Sequence, residues 1–390
     1  MVYQEGMSLI TDTKDLKSLM TRLKKEEFVT VDTEFIREKT YWARLCLVQV
    51  AGPEEAFAID PLAEGIDLSP LYELMENKKV LKVFHACRQD LEIFFKDMGK
   101  LPAPVFDTQI AAMVCGFGEQ ASYEVLVNTL AKKQIDKSSR FTDWAFRPLS
   151  AKQMKYALSD VTHLRTVYEK LNAQIEKMER GSWIRDEMKD LLEEENYIVR
   201  PEDSWQRIKI HNNKPKTLSI LREIAIWREL TAQRANVPRG RVMKDEALAE
   251  IAMHPPLTKE ALGKMRNIQH GFAESARGQE VIDAVKRGME MDAKDMPNRE
   301  PRQHLPLGLA PTIDLLRVLL KLKCEEGQVA NKLLASAADL ELIAAYGEEA
   351  DVPALKGWRF KLFGKDALDL RSGKMALAIE GNKLKLVTAT

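Results

Sequence analysis

Strand signals crowd into the first 200 residues of this 390-residue chain and almost vanish beyond about residue 205. β-branched and aromatic runs need a sheet to pair in, whereas helical periodicity needs helix-on-helix packing, so the chain must combine two architectures. FVTVDTEF (28–35), ARLCLVQVAG (43–52) and EEAFAID (54–60), separated by short turns, predict an antiparallel meander. VLKVFHA (80–86) predicts another strand, followed by a helix over CRQDLEIFFKDMG that Gly99 closes. PVFDTQIAAMVCGFG leads into SYEVLVNTLAKK, and after the loop DKSSRFTDWAFRPLS the pair Ser150 and Gln153 reads as a capping box opening a long helix, 151 to about 178. An α/β layered domain over residues 1–200 follows, its sheet begun by the meander and continued by crossover connections.

The remainder reads as all-α. TLSILREIAIWRELTAQRANVPRG predicts a helix ended by Asn236, Pro238 and Gly240, and DEALAEIAMH a shorter one before Pro255, which places a small bundle at 205–292. Residues 293–311, rich in Pro and polar residues, read as a linker. PTIDLLRVLLKLKCEEGQ, KLLASAADLELIAAYGE and ALKGWRFKLFGKDALDLRSG predict a second helical bundle over 312–390, with a closing strand pair that turns at Gly381 and Asn382.

No apolar run approaches the ~18 residues needed to span a bilayer, and no secretory signal is read in MVYQEGMSLITDTKDLK, so a cytoplasmic chain without a membrane partner is expected. Cys46, Cys87, Cys115 and Cys324 show no C-x-x-C and read as inert thiols. Basic and acidic residues balance at 59 each. The halves differ, with 28 basic and 33 acidic residues in 1–200 and 31 and 26 thereafter. The steepest stretch, 205–244, carries Arg207, Lys209, Lys214, Lys216, Arg222, Arg228, Arg234, Arg239, Arg241 and Lys244 against Glu223 and Glu229. It would attract phosphates, although a solvated helix face has the same composition.

The residues with chemistry to offer are acidic. Asp32 and Glu34, two apart on a predicted strand, leave one face of the sheet, and their strand is otherwise apolar. Asp90 follows strand 80–86 in the first turn of the next helix, where ligands collect in α/β sheets and where dipole compensation alone also favours a carboxylate. Tyr156 and Asp160 are four apart on the long helix. The apolar stripe expected there is Met154, Leu158, Val161, Leu164, Tyr168 and Leu171, with Tyr156, Asp160 and His163 on another. Asp107, at a strand end, reads as a helix N-cap before a ligand. The six histidines form no H-x-x-x-H pair. Four carboxylates without Cys or His favour Mg²⁺ or Mn²⁺, and a pair of such ions is the standard clamp for phosphodiester hydrolysis. There is no G-x-x-x-x-G-K-S/T loop, so no nucleotide cofactor is expected.

VDTEF, HACRQDLEIF and YALSDVTHL, in that order, resemble the three exonuclease motifs of the tyrosine-containing branch of the DEDD superfamily. VDTEFIREKTYWARLCLVQV, FDTQIAA and the helical modules are more closely similar to the bacterial ribonuclease D family, and LREIAIWRELTAQRANVPRGRVMKDEALAEIA resembles its first HRDC domain. The resemblance implies an RNase H-like exonuclease domain with a mixed sheet, then two small helical HRDC-like bundles. It implies a metal-dependent 3′–5′ exoribonuclease that trims transfer RNA precursors and other small structured RNAs to release nucleoside 5′-monophosphates. By the same resemblance Asp32, Glu34 and Asp160 hold one ion, Asp32 and Asp90 a second, and Tyr156 orients or deprotonates the attacking water. The basic stretch, with Arg207, Lys209, Lys214, Lys216, Arg239 and Arg241, would grip RNA. A DNA-directed exonuclease of the same superfamily and a non-catalytic RNA-binding module remain as alternatives.

Overall fold

The computed structural model describes residues 9–299 and 305–389. The chain divides into two compact units: Leu45–Asn196 with the described parts of Met1–Glu34 and Gln303–Thr390, and Phe35–Arg44 with the described part of Tyr197–Arg302. Residues 300–304 of the expected linker lie outside the described residues.

The first unit is built on β1 (Leu9–Ile10), β2 (Phe28–Ile36), β3 (Arg44–Ala51), β4 (Ala56–Ile59), β5 (Leu81–Phe84) and β6 (Val105–Asp107), in the order β1-β4-β3-β2-β5-β6. β3 and β4 run antiparallel with Val48 opposite Ile59, as the meander requires. β2 pairs in parallel with β5, Thr30 opposite Val83, and β5 in parallel with β6, Phe84 opposite Asp107. β1, too short to show a pattern in sequence, adds a parallel edge strand beside β4. β2 therefore lies inside the sheet. Its helices are α1 (Thr13–Leu23), α2 (Ser69–Glu76), α3 (Arg88–Met98), α4 (Thr108–Val114), α5 (Tyr123–Leu126), α6 (Ala151–Lys177) and α7 (Gly181–Leu191).

Ser150 and Gln153 make the capping box that opens α6, each side chain bonded to the other's backbone N–H at 3.2 and 3.0 Å. The Thr30 hydroxyl donates to the Val161 carbonyl at 2.8 Å and ties α6 to β2. The buried face of α6 is Ala157, Asp160, Val161, Leu164, Val167, Leu171 and Ile175. Val161, Leu164 and Leu171 of the expected stripe are buried, but the face is rotated from the one expected: Asp160 points into the protein beside Val161, and Met154, Leu158 and Tyr168 are only partly covered. Helix α7 has no clear signal in the sequence, because GSWIRDEMKDL buries only Ile184 and Met188 and its pattern is mostly polar.

The second unit holds α8 (Pro215–Ala235), α9 (Arg239–Val242), α10 (Asp245–Met253), α11 (Lys259–Gly263) and α12 (Ala276–Glu290). Gly288 lets α12 press on α8, since a Cβ there would sit 2.5 Å from the Ile220 Cα. Tyr41, of the 35–44 segment, donates to the buried Glu229 and lies under the Arg239 guanidinium, 4.7 Å from carbon to ring centroid.

The C-terminal helices are α13 (Ala310–Gly327), α14 (Asn331–Leu334), α15 (Ala337–Tyr346), α16 (Gly357–Arg359) and α17 (Lys365–Arg371), followed by β7 (Met375–Glu380) and β8 (Lys383–Thr388), which turn at Gly381 and Asn382. KLLASAADLELIAAYGE is two helices, because a second capping box, Ser336 with Asp339, restarts the helix after Leu334. This segment shares the core of the first unit. Trp183 of α7 stacks on Trp358 at 4.0 Å and 11°, Arg359 pairs with Glu187, and Arg180 donates to the carbonyls of Val114, Gly327 and Gln328. Gly116, at φ +83°, faces the Gln328 carbonyl so closely that a Cβ would lie 2.8 Å from its oxygen.

Candidate active site

Three elements deliver the acidic side chains. β2 presents Asp32 and Glu34 from the interior of the sheet, and α6 presents Asp160. One oxygen from each lies within 4.8 Å of the others, the only such grouping of His, Cys, Asp or Glu side chains among the described residues. Asp90, on the first turn of α3, accepts a hydrogen bond from the Thr33 hydroxyl. Tyr156, one turn before Asp160, donates to its carboxylate, and its ring lies 6.1 Å from that of the buried Trp144.

The turn that carries Asp90 is held by Asp107. Ala86 adopts φ +57°, an uncommon conformation for a residue with a Cβ. The Asp107 carboxylate accepts from the N–H groups of Ala86 and Cys87 at 3.0 and 2.9 Å, and also caps α4 through Gln109 at 2.7 Å. The N-cap expected of Asp107 is present, and the clamp on the β5–α3 turn is a second role that no local pattern could show.

Electrostatically the cluster calls for cations. Burial raises the Asp32 carboxyl to about 6. Burial, then the charge of Asp32, raises Asp160 to about 8. Glu34 rises to about 10 through burial, then through Asp32, Asp160 and Asp90. Asp90 is pushed well above the usual carboxylate range by burial and Asp32. Burial and the surrounding carboxylates, Asp160 first, likewise raise the Tyr156 phenol, which stays protonated at neutral pH. Arg140, which sequence reasoning did not single out, is the cation whose charge opposes this at both Glu34 and Asp160. Buried carboxylates crowded in this way are costly unless protonated or neutralised by metal. An all-oxygen donor set suits hard divalent cations, so the residues fit the expected metals.

The other expected contacts are scattered over the second unit. Arg207, Lys209, Lys214, Lys216 and Arg241 are exposed, Lys216 bonding the Met289 carbonyl. Arg239 is engaged by Glu229 at 2.5 and 2.6 Å, and Arg228 is buried against Asp245 and the Met243 carbonyl.

A mixed sheet whose interior strand and a crossing helix bring acidic side chains together defines a 3′–5′ exonuclease of RNase H-like fold, and the 3′–5′ exonuclease family model matches residues 7–176. The HRDC domain model matches residues 217–285. Ribonuclease D of Nitrobacter hamburgensis is 48% identical over 97% of this chain and 98% of its own, and that of Jannaschia sp. is 49% identical over 97% and 98%. The crystal structure of Escherichia coli RNase D, described as an exoribonuclease involved in structured RNA processing, superposes with a TM-score of 0.81 at 27% identity, covering 95% of this chain and 99% of that one. The chain belongs to the ribonuclease D family, and it is a metal-dependent 3′–5′ exoribonuclease. No helix among the described residues is long and apolar enough to cross a membrane.

Proposed function

We propose that this exoribonuclease trims the 3′ ends of transfer RNA precursors and other small structured RNAs in the cytoplasm, with Asp32, Glu34, Asp90, Tyr156 and Asp160 as its active-site residues. The observation that carries the reading is the convergence of Asp32, Glu34 and Asp160 within 4.8 Å in a setting that raises every carboxyl. Asp32, Glu34 and Asp160 would hold one Mg²⁺ or Mn²⁺ ion, and Asp32 with Asp90 a second. Bound there, such cations supply the positive charge that an attacked phosphodiester and a departing 3′-oxygen require. The Tyr156 hydroxyl, anchored on Asp160, orients or deprotonates the attacking water. Water adds to phosphorus, the bond to the 3′-oxygen breaks, and the released residue is a nucleoside 5′-monophosphate.

The four cysteines are buried thiols with no disulfide between them, which suits a reducing compartment. Residues 205–292 serve as an HRDC domain and 312–390 as a second HRDC-like module, joined through 293–311. The exposed Arg207, Lys209, Lys214, Lys216 and Arg241 supply phosphate contacts that position RNA without reading sequence. The test is a transfer RNA precursor with a 3′ trailer, offered beside a DNA oligonucleotide of equal length in Mg²⁺, Mn²⁺ or chelator. Stepwise loss of the trailer, with the DNA intact, is expected. Equal digestion of DNA would make the enzyme a general exonuclease.

A further inference from the structure

The carboxylates account for hydrolysis but not for how a 3′ end of any sequence is held in place. Beside them lies a loop with an unusual surface. Phe141 is 91% exposed, although a large aromatic side chain gains most by burial.

The loop around Phe141 is shaped by its own hydrogen bonds upstream and tied to other elements downstream. Upstream, Asp136 accepts from the Ser138 N–H at 2.9 Å, and the Thr142 hydroxyl donates to the Ser139 carbonyl at 2.8 Å. Downstream, Arg147 grips Asp60 through two hydrogen bonds of 2.6 and 2.7 Å and also donates to the carbonyls of Cys46, Trp144 and Phe146. The Gln153 amide reaches back to the Thr142 hydroxyl at 3.2 Å. The ring is thus presented to solvent on a fixed support.

The loop reaches the carboxylate cluster through α6: the Gln153 amide bonds Thr142 next to the ring, and Trp144 of the same loop lies 6.1 Å, ring to ring, from Tyr156, one turn before Asp160. The Arg140 guanidinium carbon lies 5.2 Å from the Phe141 ring centroid. The same guanidinium is the cation that Glu34 and Asp160 feel. A cation within electrostatic reach of the catalytic carboxylates, with an open aromatic face beside it, matches the repeat of a nucleotide strand, an anionic phosphate followed by a π-faced base.

We propose that Arg140 and Phe141 form the seat of the 3′-terminal nucleotide, Phe141 stacking on its base and Arg140 contacting its phosphate. Stacking is tolerant of sequence because every base has a π-face, so this seat holds any 3′ end while rewarding one whose last base is unpaired and free to stack. The proposal rests on the carboxylate cluster being the catalytic centre.

The test compares two oligoribonucleotides that differ only in whether the 3′-terminal ribose carries a base. For the full-length enzyme, loss of the base should raise KM roughly 5- to 150-fold, the range typical of base–aromatic stacking, with kcat changed less than about threefold. Phe141→Ala should raise KM on the normal substrate by a similar factor and abolish discrimination between the two, and Phe141→Trp should restore it. Arg140→Gln should raise KM on both substrates alike. In Asp32→Asn protein, a 3′-terminal 2-aminopurine should be quenched on binding, and Phe141→Ala should remove the quench. Phe141 is at the surface, so an unchanged melting temperature shows that these variants are folded. If Phe141→Ala keeps both the discrimination and the quench, the seat is overturned and Phe141 faces some other macromolecule. If Asp32→Asn still cleaves, the catalytic-centre reading fails instead, whatever the quench shows.

Discussion

The carboxylate of Asp107 accepts the backbone N–H of Cys87 at 2.9 Å, joining the end of β6 to the turn from which α3 departs. The same carboxylate also takes the N–H groups of Ala86 and Gln109. Asp107→Ala would leave the buried Cys87 N–H and the part-buried Ala86 and Gln109 N–H groups without this acceptor and free a turn that includes a left-handed alanine. A loss of at least ~2 kcal/mol of stability is expected in a urea titration, since one unsatisfied buried group costs about 1–3 kcal/mol. Activity in the folded fraction should fall as well, because that turn sets the position of Asp90. Wild-type stability and turnover in this variant would show that the clamp is dispensable.

A second expectation concerns pH without metal. Asp32 and Asp160 have folded-state values of about 6 and about 8, above the ordinary carboxylate value, so the folded chain binds more protons than the unfolded chain in between. Stability from these groups is fully present at low pH and is lost as pH rises through about 6 and then about 8. In chelator the melting temperature should therefore fall across this interval. Saturating Mg²⁺ or Mn²⁺ should flatten the profile, and Asp160→Asn should flatten it partly without metal. A melting temperature that rises with pH in chelator would contradict the repulsion described here.

Tyr156→Phe isolates the hydroxyl. Its removal should lower the rate by roughly 10²–10⁴, the range for losing a group placed to assist proton transfer. Mn²⁺ affinity, followed by titration calorimetry, should hardly change. A large loss of affinity would make Tyr156 a support of the metal site instead.

The sequence is informative where chemistry repeats locally. Asp32 and Glu34 stand out because two acids interrupt an apolar strand, and Ser150 with Gln153 because capping needs only four adjacent residues. The paired strands 375–380 and 383–388 are legible from the turn at Gly381 and Asn382. The face of α6 is legible only in part: Val161, Leu164 and Leu171 are buried as expected, but a polarity pattern cannot show that the carboxylate of Asp160 is buried beside them. Arg140 and Phe141 lie in an irregular loop with no period to read. The clamp by Asp107, and the stack of Trp183 on Trp358, join residues too far apart in sequence for spacing to reveal.

That stack bears on the role of the C-terminal segment. Residues 305–389 share a core with the exonuclease fold through Trp358, Arg359 and the carbonyls of Gly327 and Gln328. Ending the chain at Asn196 should lower the melting temperature by ~5 °C or more, so truncation there cannot isolate RNA capture. Replacing Arg207, Lys209 and Lys214 with Gln tests capture directly. The log–log salt slope of binding to a chelated, uncleaved transfer RNA precursor should shrink by ~0.7–0.9 for each phosphate no longer neutralised, with melting temperature unchanged. An unaltered slope would move RNA capture elsewhere on the chain.

The central claim is that Asp32 and its neighbouring carboxylates are the hydrolytic centre of a 3′–5′ exoribonuclease. It is tested most directly by following a 5′-labelled RNA with a free 3′ end, in Mg²⁺ or Mn²⁺, for the wild-type chain and for Asp32→Asn. The wild type should shorten the RNA one nucleotide at a time from its 3′ end and release nucleoside 5′-monophosphates. Asp32→Asn, and the wild type in chelator, should leave the RNA whole while the protein stays folded. Continued stepwise shortening by folded Asp32→Asn at more than a few per cent of the wild-type rate would contradict the account.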